Sequence, residues 1–225
     1  IAAGADIVEV GLPYSDPVMD GATIQAAAGQ ALAGGTRVAD VFDVVKASVA
    51  AGAATVVMTY WNPVEKYGVS KFAESLAAAG GSGLITPDMI PDEAEEWTKA
   101  SQDHDLNRIY LVAPSSTDER LAMTANEASG FVYATAVMGV TGLRSSTSSL
   151  APELVARLRQ TTDKPIGVGL GVSNREQAHE VAAFADAVIV GSALIKCVLD
   201  ADSEAEGLTA LTHLTEQLRA GVERD

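Results

Sequence analysis

The sequence predicts an α/β fold built on a parallel sheet, and three observations carry that prediction. Short Val/Ile-rich runs alternate with Ala/Glu-rich helical stretches along all 225 residues. Strand, helix, strand, helix in this order demands parallel strands joined by right-handed crossovers. The composition, 48% hydrophobic but only 5% aromatic, favours helices packed on a buried sheet of small aliphatic residues. No Pro-, Gly- or Ser-rich linker divides the chain, so residues 1–225 read as one domain.

The elements follow in order. Asp6–Leu12 alternates as a strand, with Ile7, Glu9 and Gly11 on one face and Val8, Val10 and Leu12 on the other. Ala26–Ala33 is an Ala-rich helical stretch, and Val38–Ala51 is a second helix. Ala53–Tyr60 and Gly83–Thr86 are strands on either side of a helix at Val69–Ala79. Asp92–Ser101 is helical, Arg108–Ala113 is a strand, and Thr117-Asp118 signals the start of a helix over Asp118–Ala128. Strands at Gly130–Thr135, Pro165–Gly169 and Asp186–Val190 alternate with helices at Pro152–Thr161 and Arg175–Phe184, the latter announced by Ser173-Asn174. Ala193–Leu199 and Glu204–Val222 close the chain as helices. Leu208, Leu211, Leu214, Leu218 and Val222 mark one face of the last.

That makes seven βα units. A closed barrel needs eight, in about 250 residues, whereas an open doubly wound sheet needs no eighth. Unit counting leaves both architectures open. Glycine placement favours the barrel. Gly167-Val168-Gly169-Leu170-Gly171 ends one strand, and Val190-Gly191-Ser192 ends the next and opens a helix. Bare amides at adjacent helix N-termini make an anion cradle, a recurrent feature after the last two strands of barrels. An open dinucleotide-binding sheet would carry its glycines after the first strand instead. Gly139-Val140-Thr141-Gly142 adds a further glycine loop.

The net charge of −15 comes from 30 acids and 15 bases, spread without a basic face. Nucleic acid and anionic membrane surfaces are therefore poor partners, while a small anionic ligand stays open through backbone amides. No apolar run reaches the roughly 18 residues of a membrane span. Cys197 is the sole cysteine, which excludes an intrachain disulfide and suggests a reduced, cytoplasmic setting and a buried structural thiol. His104, His179 and His213 lack metal-ligand spacing.

Glu9 is the candidate for proton transfer. The apolar face of its strand must meet helices, so Glu9 points into the interior. Burial there raises its pKa or demands a partner. The residues alone weigh that role evenly against a structural glutamate. The following loop, Gly11 to Gly21, offers Asp16 and Asp20 between stiffening prolines. Glu9 and Asp20 together put two carboxylates at the mouth of one site. Tyr60, Trp61 and Tyr133 lie at strand ends, where they could line a flat-ring pocket or simply pack.

These segments together resemble the tryptophan synthase alpha chain family. The matching stretches are Asp6–Gly21, Met58-Thr59-Tyr60-Trp61-Asn62-Pro63, Gly83–Asp88, Gly139–Gly142, Gly169–Gly171 and Gly191-Ser192, in order over essentially the whole chain. The resemblance implies a TIM (β/α)₈ barrel, here lacking the first βα unit, so that seven strands are expected. It implies retro-aldol cleavage of indole-3-glycerol phosphate to indole and glyceraldehyde 3-phosphate, in tryptophan biosynthesis. Glu9 and Asp20 would be catalytic. Tyr60, Tyr133, Thr141, Gly142, Gly169, Gly171, Gly191 and Ser192 would bind substrate or its phosphate. Met58, Ile85 and Leu170 would wall the indole. Asp16 would couple the chain to a beta partner in an α₂β₂ assembly. Neither metal nor organic cofactor is implied in this chain, pyridoxal phosphate being expected only in that partner. The missing unit implies unpaired strand edges and an unstable polypeptide when it is made alone. It also admits an alternative, a non-catalytic module that holds the phosphate ligand and activates a beta partner. Ala136-Val137-Met138, before Gly139, departs from the Ser and Arg found there in many relatives.

Overall fold

The computed structural model describes residues 1–135, 150–169 and 171–223. Seven strands, β1 (Ile7–Gly11), β2 (Ala54–Met58), β3 (Gly83–Thr86), β4 (Asn107–Val112), β5 (Val132–Thr135), β6 (Ile166–Gly169) and β7 (Ala187–Ile189), lie side by side in chain order. Every pairing is parallel. The helices are α1 (Ala22–Ala33), α2 (Asp40–Ala50), α3 (Trp61–Tyr67), α4 (Val69–Ala78), α5 (Glu95–Asp103), α6 (Asp118–Glu127), α7 (Leu150–Arg159), α8 (Arg175–Ala182), α9 (Ser192–Leu199) and α10 (Glu204–Val222).

Strand alternation sorts side chains onto two faces. Outward, Val10, Val57, Leu84, Tyr110, Val132, Ile166 and Val168 meet helix residues such as Val45, Phe72, Trp97, Leu121 and Leu158 in one continuous core. Inward, Val56, Ile85 and Ile109 form a smaller cluster backed by Met58, Leu111, Phe131 and Tyr133. The sheet is curled, because its last elements come back to its first. α9 packs on α1, and Arg219 of α10 reaches Asp6, just before β1, at 3.0 Å. Among the described residues, β1 pairs only with β2 and β7 only with β6, so the expected pair of open edges is present.

Helix starts were visible where the cap is local. Thr117 accepts from the Arg120 amide and Asn174 from the Gln177 amide, as their sequence signals predicted. α3 was not foreseen, since Trp61 was read at a strand end. Its cap comes from elsewhere: the Asp88 carboxylate, 27 residues on, accepts the Trp61 amide at 2.9 and 3.1 Å. The helix expected from Asp92 begins instead with a 3₁₀ turn, Pro91–Glu93, before α5.

Candidate active site

β1 delivers the first carboxylate as its alternation requires. Val10 and Leu12 are buried against helices, with Val8 packed beside them, while Ile7, Glu9 and Gly11 face the interior. The Glu9 side chain is reachable by solvent from the open interior, yet protein atoms crowd it on almost every side. The crowding governs its chemistry, because a carboxylate there loses most of its hydration. Desolvation pushes its pKa to about 7. At neutral pH such a group exists in both forms, as a residue that gives and takes protons must.

The second carboxylate sits on the loop after β1. Asp20 is half-buried, and its backbone carbonyl is held by Gln25 Nε2 at 2.7 Å. The hydroxyl of Tyr60, at the end of β2, donates to Asp20 Oδ1 at 3.1 Å and accepts the Met19 amide at 2.9 Å. Burial raises the Asp20 pKa, and the Tyr60 hydrogen bond opposes that rise. Two carboxyls in unlike surroundings are thus brought to one mouth, the arrangement from which separate acid and base roles are made.

Tyr133 of β5 belongs to the inner cluster and interacts electrostatically with Glu9. Burial first, and the Glu9 charge second, hold its hydroxyl well above the ordinary tyrosine pKa, so it stays protonated. Gly169 is a glycine for a local reason. A Cβ there would stand 2.6 Å from the Tyr133 hydroxyl oxygen. Ile85 is fully buried and Met58 half-buried beside it, both on the inner face. Gly171 follows β6 with φ +70°, a conformation that favours glycine. Gly191 follows β7 and caps α9, which begins at Ser192. The glycines after β6 and β7 therefore stand at neighbouring strand ends, on the same rim as Glu9 and Asp20. Asp16 is elsewhere. It is exposed on the outside of the β1 loop, where Ser15 Oγ donates to it at 2.6 Å.

Thr141, Gly142 and Leu170, with the rest of 136–149, lie outside the described residues. Cys197 corrects an expectation: it is half-buried, with its thiol donating to the Ala193 carbonyl one turn back, because α9, on which it lies, is only partly covered by its neighbours. His179 and His213 are exposed and His104 half-buried. Among the described residues no cluster of His, Cys, Asp and Glu could hold a metal ion. No described helix is long and apolar enough to cross a membrane. Cavities of about 540 and 380 Å³ open beside α10, lined by residues such as His179, Phe184 and Glu223, and Ser173, Lys196 and Cys197, respectively. Neither includes Glu9 or Asp20, so the chemistry is read at the β1–β2 mouth.

Residues 1–223 match the family model described as tryptophan synthase alpha chain. The chain belongs to the tryptophan synthase alpha chain family. The tryptophan synthase alpha chain of Salinispora arenicola is 62% identical over 222 residues, 99% of this chain and 83% of that one. That of Acidothermus cellulolyticus is 60% identical over 221 residues, 98% of this chain and 82% of its own. Among solved structures, Mycobacterium tuberculosis tryptophan synthase superposes with a TM-score of 0.93 at 57% identity, covering 100% of this chain and 84% of that one. The tryptophan synthase α₂β₂ complex of Pyrococcus furiosus, at 31% identity, superposes with a TM-score of 0.85 over 94% of this chain and 85% of its own. Membership of the family makes the curled seven-stranded sheet part of a TIM barrel architecture. What sequence reasoning missed is the link between its own candidates. Tyr60 was read as a wall of the pocket, and nothing local in the sequence signals its bond to Asp20, 40 residues away.

Proposed function

We propose that this chain is the lyase subunit that cleaves indole-3-glycerol phosphate to indole and glyceraldehyde 3-phosphate, with Glu9 and Asp20 as its reacting groups. The observation that carries the reading is the crowded Glu9 carboxyl, pushed to about 7 on the inner face of β1. Protonated Glu9 gives its proton to C3 of the indole ring. The ring becomes a cationic indolenine, and its N–H hydrogen bonds to the Asp20 carboxylate. Glu9, now ionised, takes the proton of the adjacent glycerol hydroxyl. That oxygen's electrons form the aldehyde carbonyl, the C–C bond breaks, and its pair returns through the ring to neutralise the nitrogen. Glu9 ends protonated, ready for the next turnover.

The other assignments are those that family membership suggests. Met58 and Ile85, with Leu170, wall the flat ring, and Tyr60 and Tyr133 close its edges. Backbone amides at Gly142, Gly169, Gly171, Gly191 and Ser192 take the phosphate, supported by the juxtaposed strand ends and the start of α9. The family resemblance gives Thr141 the part of orienting Asp20. Residues 1–225 act as one barrel domain, without metal or organic cofactor of their own, in the cytoplasm. The partner is a beta chain carrying pyridoxal phosphate, in an α₂β₂ assembly supported by the Pyrococcus furiosus complex. The exposed Asp16 loop is the side from which the two couple.

The test is indole release from indole-3-glycerol phosphate, followed in the parent, Glu9→Gln and Asp20→Asn. Turnover in the parent and its loss in both variants supports the reading. Undiminished turnover in Glu9→Gln ends it.

A further inference from the structure

Tyr60 lies at the junction of β2 and α3, and only 5% of its surface is exposed. Its ring is fixed on one side by Tyr14, at a centroid distance of 5.3 Å. Its hydroxyl does two jobs. It accepts the Met19 amide at 2.9 Å and donates to Asp20 Oδ1 at 3.1 Å. The two bonds grip consecutive residues of the β1 loop, one by the backbone and one by the side chain. A hydroxyl that accepts a backbone N–H has its own proton polarised and becomes a better donor. One Asp20 oxygen is thereby committed to Tyr60, and the plane of the carboxylate is set by a ring that is itself immobile. Nothing in β1 or α1 does this, since the Gln25 bond is made to the backbone carbonyl of Asp20 and leaves the side chain to turn.

We propose that Tyr60 is a positioning residue: its hydroxyl, held by the Met19 amide, aims the Asp20 carboxylate at the ring N–H of the substrate. This rests on the role given to Asp20 above. Tyr60 touches the reaction through Asp20 rather than as a proton donor to the substrate. The same bond also opposes the burial that raises the Asp20 pKa, so Tyr60 keeps Asp20 ionised to lower pH.

The experiment uses Tyr60→Phe, which keeps the ring and its packing on Tyr14 but loses both hydrogen bonds. It is run in the enzyme with a beta chain present. Indole release should fall about 10- to 100-fold in kcat, the worth of a hydroxyl bond to a charged group, with KM changed less than about threefold. The acid limb of the kcat profile should move to higher pH. In the Asp20→Asn background, Tyr60→Phe should cost nothing further. Binding of a non-cleavable indolyl-alkyl phosphate should exceed that of its N-methylated counterpart, and Tyr60→Phe should shrink this preference. An unmoved kcat and pH limb, or a loss that multiplies with that of Asp20→Asn, overturns the proposal. Full activity in Asp20→Asn and Glu9→Gln is a different result, which removes the reading of the site itself. If Tyr60→Phe fails to fold, fluorotyrosine at position 60 replaces it. That residue is a stronger donor, so the acid limb should move to lower pH, and an unmoved limb overturns the proposal.

Discussion

The wall formed by β2 to β5 and the arc formed by β6, β7 and β1 are built from one repeating unit, yet they are packed differently. In the wall the inner face is filled by Val56, Ile85 and Ile109, and the outer face by Leu84, Tyr110 and the side chains of α4 to α6. Trp97 and Leu84 have no exposed surface at all. In the arc, all three β7 residues are only half-buried and Ile7 and Glu9 are open to the interior, while Ile166 and Val168 of β6 are fully buried. The thinness of the arc goes with the open edges of β1 and β7, and Glu9, Asp20 and the strand-end glycines lie along its rim.

The comparison can be broken most directly at Glu9. Glu9→Gln should lower indole release about 10²- to 10⁴-fold, the range of a lost acid/base group. Its unfolding temperature should be unchanged or higher, because a costly buried ionisation is gone. A cooperative loss of stability would show that Glu9 belongs to the packing after all. On the opposite wall the signs reverse. Trp97→Ala should cost about 3–5 kcal/mol in urea unfolding, and Leu84→Ala about 2–5 kcal/mol. Ile189→Ala, in the half-buried β7, should cost less than either, and an equal cost would erase the distinction between the two regions. Gly169→Ala tests the rim. Its new methyl must displace the Tyr133 ring, so about 1–3 kcal/mol of overpacking is expected, with a fall in kcat.

The smallest effect is one of pH. Glu9 has a folded pKa of about 7 against an ordinary value of 4.5, so between those pH values the folded state binds more protons than the unfolded. Its contribution is therefore present below about pH 4.5 and is lost as pH rises through about 7. Urea midpoints measured across that window should decline more in the parent than in Glu9→Gln, and parallel curves would contradict the burial of Glu9. On the activity side, loss of the protonated form should give an alkaline limb near pH 7, absent from any residual activity of the variant.

Much of this was legible in the chain because its signals are local. Each strand is a short β-branched run bounded by turn residues, and Glu9 betrays its orientation through the apolar residues on either side of it. The paired glycine turns announce themselves by position in the repeat. What was not legible depends on residues distant in sequence. Asp88 caps α3 across 27 positions, and Tyr60 finds Asp20 across 40. Neither contact leaves a pattern at either end, since a tyrosine ending a strand is ordinary, as is an aspartate before a glycine. Cys197 was misjudged because an apolar run predicts burial only when a helix is covered on all sides.

The pairing of Asp6 with Arg219 spans 213 residues. Every other layer of the sheet joins a strand to the one made just before it, so the repeat can be laid down unit by unit as the chain emerges. The curl alone joins elements far apart in the chain. α9 closes it from one side by packing on α1, and α10, which packs on α8 and α9, adds the Arg219–Asp6 pair at the start of β1. Closing the longest loop is the step with the greatest entropic cost and the least local reward. The contact that draws α10 onto the start of β1 is thus the one with the longest loop to close, and the arc that bears Glu9 depends on it.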